Sequence, residues 1–582
     1  MTPTVIMRSA FDGQWLRFRA PVAVVEVHDI DAIMPALEQI EARVERETLY
    51  AAGFISYEAA PAFDSALQVR PDASHFPLLW FGLYQNPEAI PEPRPVLPLA
   101  GPLPWRPSLE RSEYNRGIAQ VKAHLEAGNT YQVNLTHRLD ADCDVSPYDL
   151  FAHLAMAQKA SCAAFIDTSE FAVCSASPEL FFTLKDGHLV TRPMKGTRPR
   201  GRWFEEDMEQ AKALRTSPKE QAENVMIVDM LRNDMGRVAL PGTVTVERLF
   251  EAERYPTVWQ MTSTVTAQTA HSVPEILQAL FPCASVTGAP KARTMEIITE
   301  LENRPRRIYT GSIGFLTPAQ TAQFNVAIRT VLIDKAQSTA EYGVGGGVVW
   351  DSTPEGEYEE CRTKTMVLFQ QATEFDLLET MLWTEEKGYF LLENHLRRLE
   401  RSAAYFQFPI DANKLRKELL GRVKRSWRGH HKVRLLLSQN GSVRTESSEL
   451  PATPAQAPVR LRLAKEPVDS NDPFLYHKTT LRGIYQRARD AQSDCDDVLL
   501  WNERGEITET TIANVVLTIH GERLTPPLAS GLLPGTHREW LLEKGQVREQ
   551  VVPLEALASC DAISVVNSVR GERPAELLSA SL

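Results

Sequence analysis

Apolar residues in this chain come in short runs closed by turns, such as Gly53-Phe-Ile-Ser-Tyr-Glu58, Leu78-Leu-Trp-Phe-Gly-Leu-Tyr84, Leu180-Phe-Phe-Thr-Leu184, Lys432-Val-Arg-Leu-Leu-Leu-Ser438 and Val459-Arg-Leu-Arg-Leu463. Runs of this kind read as buried strands. None reaches the roughly 18 apolar residues of a membrane span, so none is expected. Helices with explicit starts lie among the strands. Ser217-Pro-Lys-Glu220 offers a capping serine, a proline suited to the first turn and a glutamate that can close a capping box. Thr353-Pro-Glu355 is a second such start. Ser112-Glu-Tyr-Asn115 opens a pattern with Tyr114, Ile118, Val121 and Leu125 on one face. A third start is read at Ser285-Val-Thr-Gly-Ala-Pro-Lys291, running to about Glu302, with free N–H groups that suit an anion. Proline-rich stretches at 86–107 and 450–458 read as connectors. A length of 582 residues suggests three or four units of ordinary size, or fewer large ones.

A net charge of −12, with no basic block and no zinc spacing, argues against general nucleic-acid binding. The cysteines Cys143, Cys162, Cys174, Cys283, Cys361, Cys495 and Cys560 are scattered and form no C-x-x-C pair, which predicts reduced thiols and a cytoplasmic location. The opening residues carry no signal-peptide pattern.

Thr191-Arg-Pro-Met-Lys-Gly-Thr-Arg-Pro-Arg200 points to chemistry. Lys195 lies among Arg192, Arg198 and Arg200, and cationic neighbours with partial burial lower a lysine pKa and favour a nucleophilic amine. By itself the segment also reads as a solvated basic loop. Glu220 and Glu223 share one helix face, and Glu357 and Glu360 share another, with Lys364 a turn further on. Gly343-Val-Gly-Gly-Gly347 ends a strand-like run and exposes backbone donors. Each feature alone has an ordinary structural reading. Together they could hold a small polycarboxylate and a metal ion.

These residues resemble the chorismate-utilising enzymes over about residues 110–366. The landmarks are Gly128-Asn-Thr-Tyr-Gln-Val-Asn134, Ser177-Pro-Glu-Leu180, Arg192-Pro-Met-Lys-Gly-Thr197, Ala222-Glu-Asn-Val-Met-Ile-Val-Asp229, Phe281-Pro-Cys-Ala-Ser-Val-Thr-Gly-Ala-Pro-Lys291 and Ile328-Arg-Thr330. The resemblance implies a large sandwich of two antiparallel sheets with the site between them. Lysine at position 195, where anthranilate synthases carry alanine, resembles the aminodeoxychorismate synthase component I branch. It implies a covalent Lys195 intermediate with Glu179 as general acid. Glu223 and Glu360 would hold Mg²⁺, with Glu220 and Glu357 acting through its waters. Tyr309, Arg329, Thr287 and the Gly345, Gly346 and Gly347 backbone would bind substrate, and Lys364 its ring carboxylate. Gln260 departs from the family's usual histidine, whose association is with pyruvate loss.

From about residue 375 the pattern changes. Phe375–Trp383 and Gly388–Leu392 read as a hairpin, followed by a helix with His395, Arg398 and Leu399. His395-Leu-Arg-Arg-Leu399, His477-Lys-Thr-Thr480, Ile507-Thr-Glu-Thr-Thr-Ile-Ala-Asn514 and Ser530-Gly-Leu-Leu-Pro-Gly-Thr-His-Arg538 resemble the fold-type IV pyridoxal-phosphate enzymes. By that resemblance Lys478 carries the cofactor and Glu509 pairs with its pyridine nitrogen. Arg398, Gly535, Thr536 and Ser568 would take its phosphate. The implied class is α+β: a chorismate-utilising module over 1–366 (1–108 and 109–366), a linker over 367–374, and a two-subdomain module, similar to branched-chain aminotransferases, over 375–582.

Joined, the two resemblances imply synthesis of 4-aminobenzoate from chorismate and ammonia, with the ammonia supplied by a separate glutamine amidotransferase subunit. A G-x-C-x-G nucleophile turn is absent from the sequence. A homodimer through the second module is compatible with this reading. The alternatives are a component I module of either kind fused to an aminotransferase, and a non-catalytic chorismate-binding regulator.

Overall fold

The strands at Tyr50–Ile55 and Leu79–Tyr84 are buried on both faces, which is why they read as unbroken apolar runs. Ala51 and Ile55 join one hydrophobic cluster while Ala52 and Phe54 join another, as the two-residue period of a strand requires. The computed structural model describes residues 3–97, 99, 101–369, 374–423, 427–451, 457–492 and 494–578. Parts of the expected linkers, at 370–373 and 452–456, lie outside the described residues. Among the described residues no helix is long and apolar enough to cross a membrane. Contacts divide the chain into two units, Met1–Arg200 with Gln210–Ala372, and Gly201–Glu209 with Thr373–Leu582.

The first unit holds two ten-stranded sheets, antiparallel at every pairing. A core of Val5, Phe18, Phe54, Trp80 and Phe315 lies between them. Each such side chain contributes roughly 1.5–3 kcal/mol by leaving water. Helices cover the outer faces. The elements that build the site are β1 (Gln132–Asp142), β2 (Leu180–Lys185), β3 (Met194–Pro199), β4 (Val258–Gln268) and β5 (Thr339–Val348), with α1 (Pro218–Gly236), α2 (Lys291–Leu301) and α3 (Pro354–Thr365). β1 pairs with β5 along ten residue positions in one sheet, and β3 pairs with β4 in the other.

Three local expectations change. The basic segment is not a loop but strand β3, with a register shift between Met194 and Thr197. The glycine run lies at the end of its strand as expected, but inside β5 and in register with β1 rather than as a free nest. The helix expected from Ser285 begins only at Lys291, after a 3₁₀ turn at Ala284–Val286 and a two-residue strand at Gly288–Ala289. Proline disfavours helical backbone at the residue before it, so Ala289 cannot open the helix and Pro290 becomes its cap. The caps on α1 and α3 are present: Ser217 accepts from Glu220 N and Thr353 from Gly356 N.

The second unit holds an antiparallel four-stranded sheet with β6 (Leu377–Thr384) and β7 (His430–Leu437), and a mixed eight-stranded sheet. A further pairing joins Ile507–Thr510 to Asn514–Ile519 and closes six strands of the larger sheet into a ring. Helix α4 (Leu392–Phe406) packs on the smaller sheet, and α5 (Thr536–Glu543) packs beside the strand Cys560–Asn567. Residues 201–209 belong to this unit. Tyr405 donates to the Gly201 carbonyl at 2.7 Å, and Trp203 sits 5.2 Å from the Tyr476 ring.

Candidate functional site

One cavity lies within the first unit. β1 supplies Asn134, β3 Lys195, β4 Gln260 and β5 Gly345 and Gly347. α1 brings Lys219, Glu220 and Glu223, and α3 brings Glu357, Glu360 and Lys364. Glu179, Ser285, Tyr309 and Arg329 complete the lining. The bulge in β3 re-aims Lys195: Gly196 adopts φ +92°, and a Cβ there would lie 2.7 Å from a Glu220 oxygen. Opposite, a Cβ on Gly347 would lie 2.7 Å from Lys195 Nζ and 2.7 Å from Gln132 Nε2. The bare strand is what gives the lysine its room.

Burial lowers the Lys195 pKa; Glu223 opposes this and Lys364 reinforces it. Two of the arginines expected to do so are engaged elsewhere, since Arg192 pairs with Glu253 and Arg200 donates to the Tyr255 carbonyl, and Arg198 acts instead on Glu220. Burial pushes Glu179 up to about 7, although Ser285 Oγ donates to it at 2.6 Å. A carboxyl at that value can give a proton near neutral pH. Burial also pushes Glu223 and Glu357 up to about 7, and Glu360 adds to the effect on Glu357. Glu220 is raised by burial and then by Glu360. Burial acts on Glu360 too, but the Lys364 ammonium at 2.7 Å outweighs it and holds Glu360 low. Lys364 also donates to the Gly345 carbonyl at 2.8 Å.

Crowded carboxylates, with a buried Glu357 oxygen lacking a hydrogen-bond partner, fit a bound cation. Among the described residues no three His, Cys, Asp or Glu side chains are grouped to hold a metal ion, so waters or substrate oxygens would complete the shell of a hard divalent ion. Glu220 serves this cavity with its carboxylate, while its backbone N–H meets the Ser217 cap.

Two expected residues do not line the cavity. The Thr287 hydroxyl donates to the Cys283 carbonyl within its own turn, and a Cβ on Gly346 would point at Glu357. The start of α2 does not line it either, and Lys291 there pairs with Asp234 at 3.0 Å. Arg329 is buried at φ +50° and donates to Gln158 Oε1 at 2.8 Å. Residue-type reasoning missed Gln132, which is fully buried with neither amide atom hydrogen-bonded. Its signal was present as a glutamine opening a strand of otherwise buried residues. Lys219 and Ser285 were missed because they sit inside helix-start patterns that already had a structural explanation.

The second unit has a cavity of its own, lined by Arg398, Lys478, Glu509, Gly535, Thr536 and Ser568 among others. Burial, then Arg398, lowers the Lys478 pKa to about 8. Burial pushes Glu509 up to about 7 against three donors, Tyr485 Oη at 2.8 Å, Asn514 Nδ2 at 3.1 Å and Leu533 N at 3.2 Å. Those contacts fix its orientation. Arg398 forms a bidentate pair with Glu379 at 2.9 and 2.6 Å and donates to the Pro534 carbonyl at 3.0 Å. A guanidinium has five N–H donors, so two remain for a ligand. Glu379 also meets His395 at 2.7 Å, and the Arg398 guanidinium together with the His395 contact outweighs burial to hold it at about 2. Gly535 caps α5, and a Cβ there would overlap Asn514 Oδ1. An anion at that helix start would find free N–H groups. A lysine, an immobilised carboxylate and a helix-start anion seat around one cavity fit pyridoxal phosphate.

Residues 2–370 match the family model of the chorismate binding enzymes, and residues 376–578 match that of amino-transferase class IV. Aminodeoxychorismate synthase component 1 of Salmonella typhimurium is 43% identical over 262 residues, 45% of this chain and 57% of that protein. The protein of the same description from Klebsiella aerogenes is 44% identical over 269 residues, 46% of this chain and 59% of that protein. The chain therefore spans less than two thirds of the length of these relatives. Anthranilate synthase component I from Streptococcus pneumoniae superposes with a TM-score of 0.54 at 23% identity, over 64% of this chain and 92% of that chain, a likeness of fold.

Proposed function

The chain belongs to the chorismate binding enzyme family, and from that premise we propose that it makes 4-aminobenzoate in two steps. The observation that carries the reading is Lys195 entering a cavity shared with Glu179 and two acid-bearing helices. The relatives described as aminodeoxychorismate synthase component 1 support it. In the first step the Lys195 amine bonds to C2 of chorismate as the ring double bonds shift and the 4-hydroxyl leaves as water, taking the proton of Glu179. Ammonia then bonds to C4, the double bonds shift back, and the Lys195 amine departs. Two displacements retain the geometry at C4. Glu223 and Glu360 would hold Mg²⁺, with Glu220 and Glu357 reaching its waters, and the ion would offset the charge of the substrate's ring carboxylate. Tyr309, Arg329 and the backbone of Gly345 and Gly347 bind the pyruvyl carboxylate, and Lys364 supports the ring end.

The second unit would release pyruvate from the amino product. When bound, pyridoxal phosphate supplies an electron sink that acidifies the C–H beside the amine. Glu509 keeps the pyridine nitrogen protonated. Arg398, Gly535, Thr536 and Ser568 bind the phosphate. Lys478, whose pKa burial lowers to about 8 so that more of its amine is neutral, takes up the ring proton. The class IV family match also accommodates amino transfer, so this is the second reading. Ammonia would come from a separate glutamine amidotransferase subunit.

Product analysis with chorismate, ammonium and Mg²⁺, with and without pyridoxal phosphate, tests both steps. The expected result is 4-amino-4-deoxychorismate without the cofactor, and 4-aminobenzoate plus stoichiometric pyruvate with it. Transfer to 2-oxoglutarate without pyruvate would establish the second reading. Efficient use of glutamine by the chain alone would remove the partner.

A further inference from the structure

The second cavity holds more positive charge than a cofactor phosphate needs. Its lining includes Arg398, Lys432, Arg434, Lys478, Arg482 and Arg570, against one carboxylate, Glu509. Most of these cations are committed. Arg398 is held by Glu379, and Arg434 pairs with Glu446 at 3.6 Å. Arg482 donates to the Thr511 carbonyl and lies 4.5 Å over the Tyr485 ring. Lys478 is the cofactor lysine of the proposed second step. Lys432 and Arg570 are left, and among the described residues neither side chain makes a hydrogen bond or an ion pair. Lys432 stands on β7 opposite Leu382 of β6, on the strand face that also carries Arg434 opposite Thr380, and Thr380 lines the cavity. Arg570 lies just past the strand Cys560–Asn567, two residues from Ser568.

We propose that Lys432 and Arg570 form a dicarboxylate subsite that selects the substrate of the second cavity. The inference rests on the reading of that cavity as acting on an amino-cyclohexadiene with two carboxylates. It adds which residues recognise them. The charges match: the phosphate has Arg398, the α5 start and Ser568, and two uncommitted cations remain for two carboxylates. Charge-assisted contacts of this kind favour a dianionic substrate over the single carboxylate of an ordinary amino acid. Their placement on β7 and on the loop after Ser568 lets them act on the substrate without supporting Lys478 or Glu509.

The test uses the full chain loaded with pyridoxal phosphate. Its cofactor absorbance is titrated with 3-(carboxymethoxy)benzoate and with 3-methoxybenzoate, which lacks the second carboxylate. The dicarboxylate should bind at least about tenfold more tightly. Lys432→Met and Arg570→Gln should each remove about tenfold of its affinity, while Lys432→Arg keeps most of it. The cofactor should stay equally tight in all variants. Unchanged dicarboxylate affinity in the variants overturns the subsite, as does loss of cofactor affinity instead, which would make these phosphate ligands. Pyruvate release from 4-amino-4-deoxychorismate is followed in parallel. If the wild type releases none yet the dicarboxylate preference falls in the variants, the subsite stands and the lyase reading falls. If pyruvate forms and the preference does not change, the lyase stands and the subsite falls.

Discussion

Each unit places a half-buried lysine at the wall of a cavity, and the strongest neighbours of the two lysines oppose each other in sign. Around Lys195, after burial, the strongest influence is the Glu223 carboxylate, with Glu360 and Glu179 acting the same way against Lys364. Around Lys478, after burial, it is the Arg398 guanidinium, and the amine falls to about 8. Desolvation alone would treat the two alike. Burial is the largest cause at both amines, and the strongest partner then pulls in opposite directions, at Lys195 a carboxylate of a group that also suits a cation, at Lys478 a cation of an anion seat.

The largest effects should come from the lysines themselves. Lys478→Ala should abolish pyruvate release by ~10³-fold or more and erase the cofactor absorbance shift, while 4-amino-4-deoxychorismate still accumulates. Lys195→Ala should cut the first step by ~10²–10⁴-fold and leave pyruvate release from supplied intermediate intact. A variant that stops both steps would show that the units do not work separately. Gly347→Ala puts a methyl where Lys195 Nζ and Gln132 lie, and should slow the first step by roughly 10–100-fold with little change in melting temperature. An unchanged rate would mean that the lysine works from another position.

Smaller effects concern stability. Glu379→Gln leaves Arg398 and His395 without their buried carboxylate and should destabilise the second unit by about 3–5 kcal/mol in urea melts. Acid should act on the units in opposite directions. Glu379 is held at about 2 against 4.5 ordinarily, so its contribution is complete above about 4.5 and disappears as pH falls toward 2. Glu179 is pushed up to about 7, so the folded first unit takes up its proton first and gains stability as pH falls from about 7 to 4.5. Each contribution is at most roughly 3–4 kcal/mol. Melts of Glu179→Gln and Glu379→Gln across pH should lose these slopes separately. The smallest effect is kinetic: cofactor capture by the apo protein should speed up several-fold as pH rises to about 8 and then level off, because the neutral Lys478 amine is the reacting form.

Features that depend on near neighbours in sequence were legible in advance. The Ser217 and Thr353 caps form as their spacing predicts, and short apolar runs became strands. Features that depend on distant partners were not. A glycine after Lys195 reads equally as a turn or a bulge, and only pairing with β4 decides between them. The Gly343–Gly347 run reads as a nest until Gln132 and Lys195 are seen to need the space above it. Arg398 reads as a free cation because Glu379, its carboxylate, stands on another strand. The arginines near Lys195 in sequence are not the groups that tune it, since side chains alternate across a strand and Arg192 finds Glu253.

Nine residues from the middle of the first half, Gly201–Glu209, are counted with the second unit. A single protease nick near residue 370 therefore cannot yield two complete pieces. The C-terminal fragment would leave behind the indole of Trp203 and bare the face of Tyr476, two positions before Lys478. Anyone recloning the halves separately would need to graft that nonapeptide onto the C-terminal half, or else handle a fragment with an open seam beside its chemistry.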